Sequence, residues 1–165
     1  MLNYFFVLLL GVQPVLTPEI SQEMKGSPPK VQFEKFMAYT RTEEYESINQ
    51  EKYETLNEYI SKSSYDSISD DLSQGMSDQE LKDMLALRVL TKMEYIEEVT
   101  NDKSSCLFYN VRFSDNAKHY AGQSGPVIIS MVLEGGGWKF DTVFIPLKGQ
   151  PLIEPCKKYI LDPNQ

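Results

Sequence analysis

Residues 127–146 read VIISMVLEGGGWKFDTVFIP, and this stretch decides the fold class of the chain. Two runs rich in Val, Ile and Phe flank the turn EGGG at residues 134–137, and Trp138 opens the second run. Glycine readily takes the positive φ angles of tight hairpin turns, and branched or aromatic residues fit a half-buried pleated surface. The stretch therefore predicts a β-hairpin whose strands span 127–134 and 138–145.

The residues before the hairpin predict two further strands. Apolar residues recur with a period of two at 92–99 and 106–113, and the polar turn NDKS at 101–104 separates these segments. Four consecutive strands joined by short connections form an antiparallel meander.

Strand parity assigns the side chains of the last strand to two faces. Because successive side chains alternate, Trp138, Phe140 and Phe144 share one face, and Lys139 and Asp141 share the other. If Trp138 packs inward, Asp141 points into water. We therefore expect an interior that holds no proton-carrying group.

The first half of the chain predicts helices. Residues 31–39 and 42–61 carry apolar side chains near one helical face, and Ser77 opens the capping box SDQE of a helix over 78–91. The intervening segment 63–75 is rich in Ser, Asp and Gly, so we expect a loop there. The residues of the last helix expected to face inward are Leu81, Met84, Leu85 and Val89.

Helices that precede a complete antiparallel sheet must cover one of its faces, which defines an α+β fold. We therefore expect N-terminal helices packed on a curved four-stranded antiparallel sheet. The 165 residues suffice for one such domain and are too few for two ordinary ones.

The chain is acidic. It carries 24 acidic and 16 basic residues, a net charge of −8 and a pI near 4.7. No dense basic patch interrupts this charge, so a polyanion such as DNA or RNA would be repelled. The composition excludes nucleic acid as a partner and favours a basic one, although many proteins are acidic simply for solubility.

The first 17 residues, MLNYFFVLLLGVQPVLT, carry no charge and contain an apolar run at 4–12. This run is too short to span a bilayer, which takes about 20 residues, but it suits the core of a secretory signal. We expect residues 1–17 to be a signal segment, 18–30 a linker and 31–165 a single domain outside the cytoplasm, periplasmic or secreted. A buried N-terminal strand or helix, or retention of the segment as an anchor, stays open as an alternative.

The two cysteines leave two alternatives open. Cys106 and Cys156 are too few for a zinc site and too far apart for a redox pair. In an oxidising compartment they can form one disulfide, and otherwise they are two buried thiols.

The hairpin, with WKFD at 138–141 directly after its glycine turn, resembles the NTF2-like (cystatin-like) superfamily, and most of all its small exported bacterial members of unknown function. The resemblance covers residues 31–146 and implies that helices and curved sheet form a cone, with a ligand pocket or a filled core inside. Large side chains on the inner face favour filling. The chain departs from these members because it lacks a lipobox cysteine and has a longer tail after Pro146.

Enzymes of this superfamily, such as ketosteroid-isomerase-like and polyketide-cyclase-like proteins, need an acid or base inside the cone. Since parity places none there, we assign no catalytic residue, and we expect no cofactor and no metal. The ligand-binding candidates are the aromatic and imidazole side chains Tyr109, Phe113, His119 and Trp138.

Four aspartates cluster before the last predicted helix. They lack the spacing and the terminal Glu of a calcium loop, so a solvated acidic loop is the expectation. These residues are Asp66, Asp70, Asp71 and Asp78.

Three functions follow as hypotheses. The first is an exported, non-enzymatic domain that binds a protein or a small apolar ligand, for example an immunity or inhibitor protein that covers a basic target. The second is a ketosteroid-isomerase-like or polyketide-cyclase-like enzyme with Tyr109, His119 or Glu97 at the mouth of the cone. The third is an accessory subunit of an envelope or secretion complex. A homodimer is left open, and no stable membrane span is expected.

Overall fold

The computed structural model describes residues 28–117 and 119–161. The predicted signal segment 1–17 lies outside them, as does the predicted linker except for residues 28–30, which are helical. Before the sheet come α1 (Pro28–Tyr39), α2 (Glu43–Glu46), a 3₁₀ helix (Gln50–Glu58), α3 (Lys62–Ser73) and α4 (Asp78–Leu85). Then follow β1 (Leu90–Thr100), β2 (Ser104–Phe113), β3 (Ser124–Glu134), β4 (Gly137–Phe144), α5 (Ile153–Cys156) and a π-helical turn (Lys157–Leu161).

The four strands form one sheet in the order β1-β2-β3-β4, with each neighbouring pair antiparallel. Extra residues interrupt the register at Thr91 and Ile96 in β1 and at Asp141 in β4. Such bulges bend a strand and increase its twist, which curves the sheet. Helices first and a curved antiparallel meander second confirm the predicted α+β class.

The inner face of the sheet packs against α1 to form the main core. Phe33 and Phe36 of α1 are buried, and their ring centroids lie 6.0 and 5.6 Å from that of Phe140 in β4. Alternate residues of β2 and β3 enter this core. They are Leu107, Tyr109, Val111, Phe113, Val127, Ile129 and Met131.

A second, smaller core lies on the opposite face of the sheet, under the C-terminal segment. Cys106 of β2 and Cys156 of α5 form a disulfide there, and both are fully buried. Phe108, Ile128 and Ile160 pack around it. The tail therefore closes the outer face of β2 and β3.

The segment 63–75, expected to be a loop, belongs to the amphipathic helix α3. The Ser61 hydroxyl caps its N-terminus by accepting a backbone N–H from the first turn at 3.0 Å. Ile68 is buried, and Tyr65 and Leu72 pack against the main core. The prediction was wrong because the spacing i, i+3, i+7 of these three apolar residues outweighs the Ser- and Asp-rich composition.

The helix predicted over 42–61 is divided into α2 and the 3₁₀ helix. The Ser47 hydroxyl bonds the carbonyl of Glu44 at 2.8 Å, and such local bonds compete with helix propagation. The apolar residues expected on one face of segment 42–61 are nevertheless mostly buried, and Tyr59 is half-buried. The buried ones are Tyr45, Ile48, Leu56 and Ile60.

Helix α4 begins with the predicted capping box at Ser77 but ends at Leu85 instead of residue 91. Leu87 has a φ of +50°, which is incompatible with a continuing right-handed helix. Of the four residues expected to face inward, two are buried and two are exposed. Leu81 and Leu85 are 1% and 4% exposed, whereas Met84 and Val89 are 44% and 40% exposed.

The alternation of β4 reverses at Asp141. Its neighbours Phe140 and Thr142 pair with consecutive residues of β3, so Asp141 is the unpaired residue of a bulge. Beyond it, Val143 turns toward the main core and Phe144 toward the outer one. The prediction that Phe144 shares a face with Phe140 is therefore wrong, because parity arguments assume an unbroken strand.

Candidate functional site

An open cavity of about 410 Å³ lies between helices α3 and α4 and the end of the sheet where β2, β3 and β4 meet. Its lining is mostly apolar, and its polar members come from α3 and β4. Pockets of about 300–1,000 Å³ with an apolar lining and a few polar groups are typical small-molecule sites. We therefore take this cavity as the candidate site.

Helix α3 forms one wall of the cavity. Ser64, Ser67, Ile68 and Asp71 line it, and their spacing of i, i+3, i+4 and i+7 places them on one helical face. Ile68 is buried, and the other three present hydroxyl or carboxylate groups along the same wall.

The floor of the cavity is aromatic and aliphatic. Phe113 of β2, Val127 of β3 and Phe140 of β4 are 5%, 0% and 4% exposed and all line the cavity. Leu85 and Leu87 close it from the side of α4. A ligand that lies on this floor would remove apolar surface from water. Each Å² of apolar surface buried in this way stabilises the complex by roughly 25 cal/mol.

Three apolar side chains at the rim of the cavity are exposed. Met84, Val89 and Ile145 line the cavity and are 44%, 40% and 40% exposed. They make the apolar interior of the cavity continuous with apolar surface at the rim.

Asp141 lies on the β4 wall, and its position is fixed by α3. Its Oδ1 accepts a hydrogen bond from the hydroxyl of Ser61, which is fully buried, at 2.5 Å, and its carbonyl oxygen accepts the hydroxyl of Ser64. The positive end of the α3 dipole adjoins it, which stabilises negative charge. The expectation that Asp141 points into water is wrong, because the bulge turns it toward the start of α3.

Backbone hydrogen bonds hold the start of α3 against β4. The N–H of Ser61 donates to the carbonyl of Phe140 at 2.8 Å, and the N–H of Phe140 donates to the carbonyl of Tyr59 at 2.8 Å. Residues 59–61 thereby form a short parallel bridge along the outer edge of β4. This bridge covers an otherwise open sheet edge and fixes the α3 wall relative to the floor.

The cavity lining is electrostatically one-sided. Among the residues that the structure describes, Asp71 and Asp141 are the ionisable members of the lining, and no Lys, Arg or His belongs to it. Within 28–117 and 119–161, neither carboxylate forms an ion pair. The cavity can therefore bind a molecule that is mostly apolar and that also carries a hydrogen-bond donor or a positive charge.

The structure separates the four predicted ligand-binding residues. Phe113 lines the cavity, whereas Trp138 is half-buried against the main core. His119 is exposed in the loop between β2 and β3, away from the cavity lining. Tyr109 is 5% exposed and lies in the core instead of the cavity wall.

The Tyr109 phenol is a buried polar group that has no hydrogen-bond partner among the described residues. Its ring lies 5.7 Å from that of Phe33 and 5.6 Å from that of Tyr95. Burial raises the pKa of Tyr109 above its ordinary value, with the charges of Glu34 and Glu98 adding to the effect. The phenol is therefore neutral at physiological pH.

The two cysteines named in the sequence are brought together. Cys106 and Cys156 are joined by a disulfide with Cα atoms 6.1 Å apart, across a separation of 50 residues. The bond lies in the outer core, on the far side of the sheet from the cavity lining.

Sequence reasoning missed both carboxylates of the cavity. The spacing of Ser64, Ser67, Ile68 and Asp71 could have revealed the α3 wall had the segment been read as a helix. For Asp141 no local signal exists, because the bulge is visible only in the pairing of β4 with β3.

Within the part of the chain that the structure describes, no three His, Cys, Asp or Glu side chains are placed to hold a metal ion. In the same residues, no helix has the length and apolar character needed to cross a bilayer.

Comparisons with known proteins give two structural likenesses. A protein described as an NTF2-like transpeptidase from Campylobacter jejuni matches at 16% identity and a TM-score of 0.25, covering 47% of this chain and 82% of its own. A protein of unknown function from Bacteroides thetaiotaomicron matches at 12% identity and a TM-score of 0.32, covering 82% and 99%.

No family model and no curated protein matches the chain. At TM-scores of this size the superpositions carry no argument about the site, so the functional case depends on the cavity.

Proposed function

We propose that this chain is an exported, NTF2-like binding domain that holds a small, largely apolar molecule in the cavity between α3, α4 and the sheet. One observation carries the proposal: an open cavity of about 410 Å³ has a floor of buried apolar side chains and a rim of exposed ones. Soluble domains seldom leave such a surface open unless something binds it.

The geometry supports binding more than filling by the protein itself. Phe113 and Phe140 form the floor, but α4 ends at Leu85 and leaves the space above them open. The sequence favoured a filled core, and the core is filled under α1, where Phe33 and Phe36 pack. The open space lies at the α3–α4 end.

A fluorescent probe tests the proposal. N-phenyl-1-naphthylamine, a neutral apolar dye, should bind with one-to-one stoichiometry and gain fluorescence. Val143→Trp places a large side chain in the cavity wall and should abolish binding. Val132→Trp, on the other face of β3 and outside the cavity lining, is the matched control and should bind normally. Equal binding by both variants would refute the cavity as the site.

A second candidate function is proton transfer on a bound ligand, and Asp141 on the cavity wall favours it. A carboxylate beside an apolar floor can abstract a proton from a bound carbon acid. The Ser61 hydrogen bond and the α3 dipole stabilise the charged carboxylate, which suits an ion pair better than a strong base.

Deuterium uptake separates the two functions. Molecules co-purified with the protein would be identified by mass spectrometry and incubated with it in D₂O. Deuterium incorporation with the wild type but not with Asp141→Asn would establish proton transfer. Retention of the ligand without incorporation in either protein would leave binding as the function.

Export belongs to the proposal and is supported by the disulfide. Structural disulfides such as Cys106–Cys156 persist in oxidising compartments and are rare in the cytosol. Fractionation of the native cell with N-terminal mass spectrometry tests it. A cytosolic protein with reduced thiols would refute export.

A further inference from the structure

We propose that the molecule bound in the cavity is a small amphiphilic amine, whose apolar body lies on the floor and whose cationic head pairs with Asp71. This inference rests on the proposed binding function and assigns the chemical class of the ligand. It is argued from the charge of the lining, the position of Asp71 on α3 and the separation of the two carboxylates.

Charge complementarity is the first argument. The described residues of the cavity lining include two carboxylates and no basic side chain, and the whole chain carries a net charge of −8. A carboxylate or phosphate ligand would meet repulsion at every approach, whereas a cation would be attracted from a distance. An apolar molecule with a positive head is therefore the class that matches both the floor and the wall.

The position of Asp71 is the second argument. It stands in the last turn of α3, beside Asp70, and that turn contains no basic residue. Negative side chains at a helix C-terminus oppose the macrodipole and destabilise the helix. Asp71 is half-buried in the cavity wall and has no ion-pair partner among the described residues. A bound ammonium group would offset this unfavourable local charge.

Asp141 has a different role because it is already engaged. Its carboxylate accepts the Ser61 hydroxyl at the opposite, N-terminal end of α3. Residues 64 and 71, which mark the two ends of the cavity wall, are separated by about 10 Å along the helix axis. A ligand head at Asp71 therefore leaves room for an apolar chain that extends over Phe113 and Phe140 toward Asp141.

Three probes of equal chain length test the inference: octylamine as the cation, octanol as the neutral homologue and octanoate as the anion. Each would compete with bound N-phenyl-1-naphthylamine at pH 7 and low salt. We expect octylamine to bind about fivefold more tightly than octanol, and octanoate most weakly, since a half-buried ion pair contributes at most about 1 kcal/mol. Added salt should reduce the preference for octylamine and leave octanol unchanged.

Asp71→Asn and Asp70→Asn form a matched pair. They remove the same charge from adjacent positions of the same helical turn, but Asp71 lines the cavity and Asp70 does not. Asp71→Asn should equalise octylamine and octanol, while Asp70→Asn should keep the preference. The pair thus separates a specific contact from general attraction of a cation to an acidic protein.

The outcomes distinguish the inference from the function on which it rests. If octanol and octylamine compete equally in the wild type, or if both Asn variants behave alike, the amine assignment is overturned and apolar binding stands. If neither the dye nor any of the three probes binds, the binding function itself fails. Circular dichroism of both variants verifies that each is folded.

Discussion

The carboxylate of Asp141 accepts a hydrogen bond from the Ser61 hydroxyl at 2.5 Å, although 80 positions separate the two residues. Ser61 caps α3, and Asp141 is the bulged residue of β4. One contact therefore joins the beginning of a cavity-lining helix to the irregularity of a cavity-lining strand. The same serine hydroxyl that starts the helix also orients the carboxylate.

This contact should be measurable as coupling between two substitutions. Ser61→Ala loses both the helix cap and the bond to Asp141, which we expect to cost about 2 kcal/mol in free energy of unfolding. Asp141→Ala loses the same bond. The double variant should cost about 1 kcal/mol less than the sum of the single ones, since the shared bond is lost only once. Denaturant unfolding of the four proteins measures the coupling.

Ser77→Ala provides the control for that cycle. Ser77 caps α4 through a capping box with Glu80, and its hydrogen bonds stay within the first turn of α4. Its combination with Asp141→Ala should be additive. Additivity in the Ser61 cycle as well would show that the cap and the carboxylate act independently, contrary to the geometry.

Removal of the phenolic hydroxyl should have different effects on stability at two buried tyrosines, Tyr45 and Tyr109. The Tyr45 hydroxyl donates to the carbonyl of Lys82 at 2.8 Å, so Tyr45→Phe should destabilise the protein by about 1 kcal/mol and leave that carbonyl with the backbone N–H of Ala86 as its donor. The Tyr109 hydroxyl is buried and has no partner within residues 28–117 and 119–161, so Tyr109→Phe should be neutral or stabilising.

Urea unfolding of the two variants and the wild type measures these effects. The unfolding midpoints are compared with the dependence of the free energy on urea concentration held constant. Both substitutions leave a buried Phe of nearly the same shape, so each variant is the other's packing control. A loss of about 1 kcal/mol in Tyr109→Phe would mean that its hydroxyl has a partner in solution.

Sequence alone predicted the elements whose signals are local. The glycine turn before Trp138 predicted the hairpin, the capping box at Ser77 predicted the start of α4, and period-two alternation in 106–113 predicted strand β2. Each of these signals acts within a few residues, and each persists in the structure because tertiary packing reinforces it.

The cavity could not be predicted from the sequence, because its walls depend on pairings between distant segments. The α3 wall required recognition of a helix in a Ser- and Asp-rich segment, where three apolar residues decide the outcome. The β4 wall required one unpaired residue, Asp141, which reverses the strand parity beyond it. A single inserted residue costs little locally and redirects every later side chain.

Alkaline pH should destabilise the protein through its buried tyrosines. Burial raises the pKa of Tyr45, Tyr53 and Tyr109, and a hydrogen bond to Asp78 raises that of Tyr53 further. The native state then keeps protons that the unfolded chain releases near pH 10, the ordinary value for tyrosine. The stabilisation is complete below about pH 10 and is lost as the pH rises toward the folded-state pKa values.

Phenolate absorbance and far-ultraviolet circular dichroism, recorded together after rapid pH jumps, measure this effect. The exposed tyrosines should ionise first while the circular dichroism is unchanged. The buried ones should ionise only as the protein unfolds. Ionisation of all tyrosines at their ordinary pKa in a protein that stays folded would contradict the burial of the three phenols.

Loss of the disulfide should lower stability without disturbing the cavity. The bond between Cys106 and Cys156 closes a loop of 50 residues, for which the chain-entropy model gives about 4 kcal/mol. It lies in the outer core, whereas the cavity is on the inner face of the sheet. Cys106→Ala/Cys156→Ala should therefore unfold at much lower denaturant concentration.

The same double variant should bind N-phenyl-1-naphthylamine with wild-type affinity under conditions where it is folded. Trypsin should cleave it faster than the wild type after Lys148, in the connection between β4 and α5, because the C-terminal segment is no longer covalently held. Equal loss of dye affinity and stability would mean that the two faces of the sheet are coupled. In that case the position of the β4 residues that line the cavity would depend on packing in the outer core.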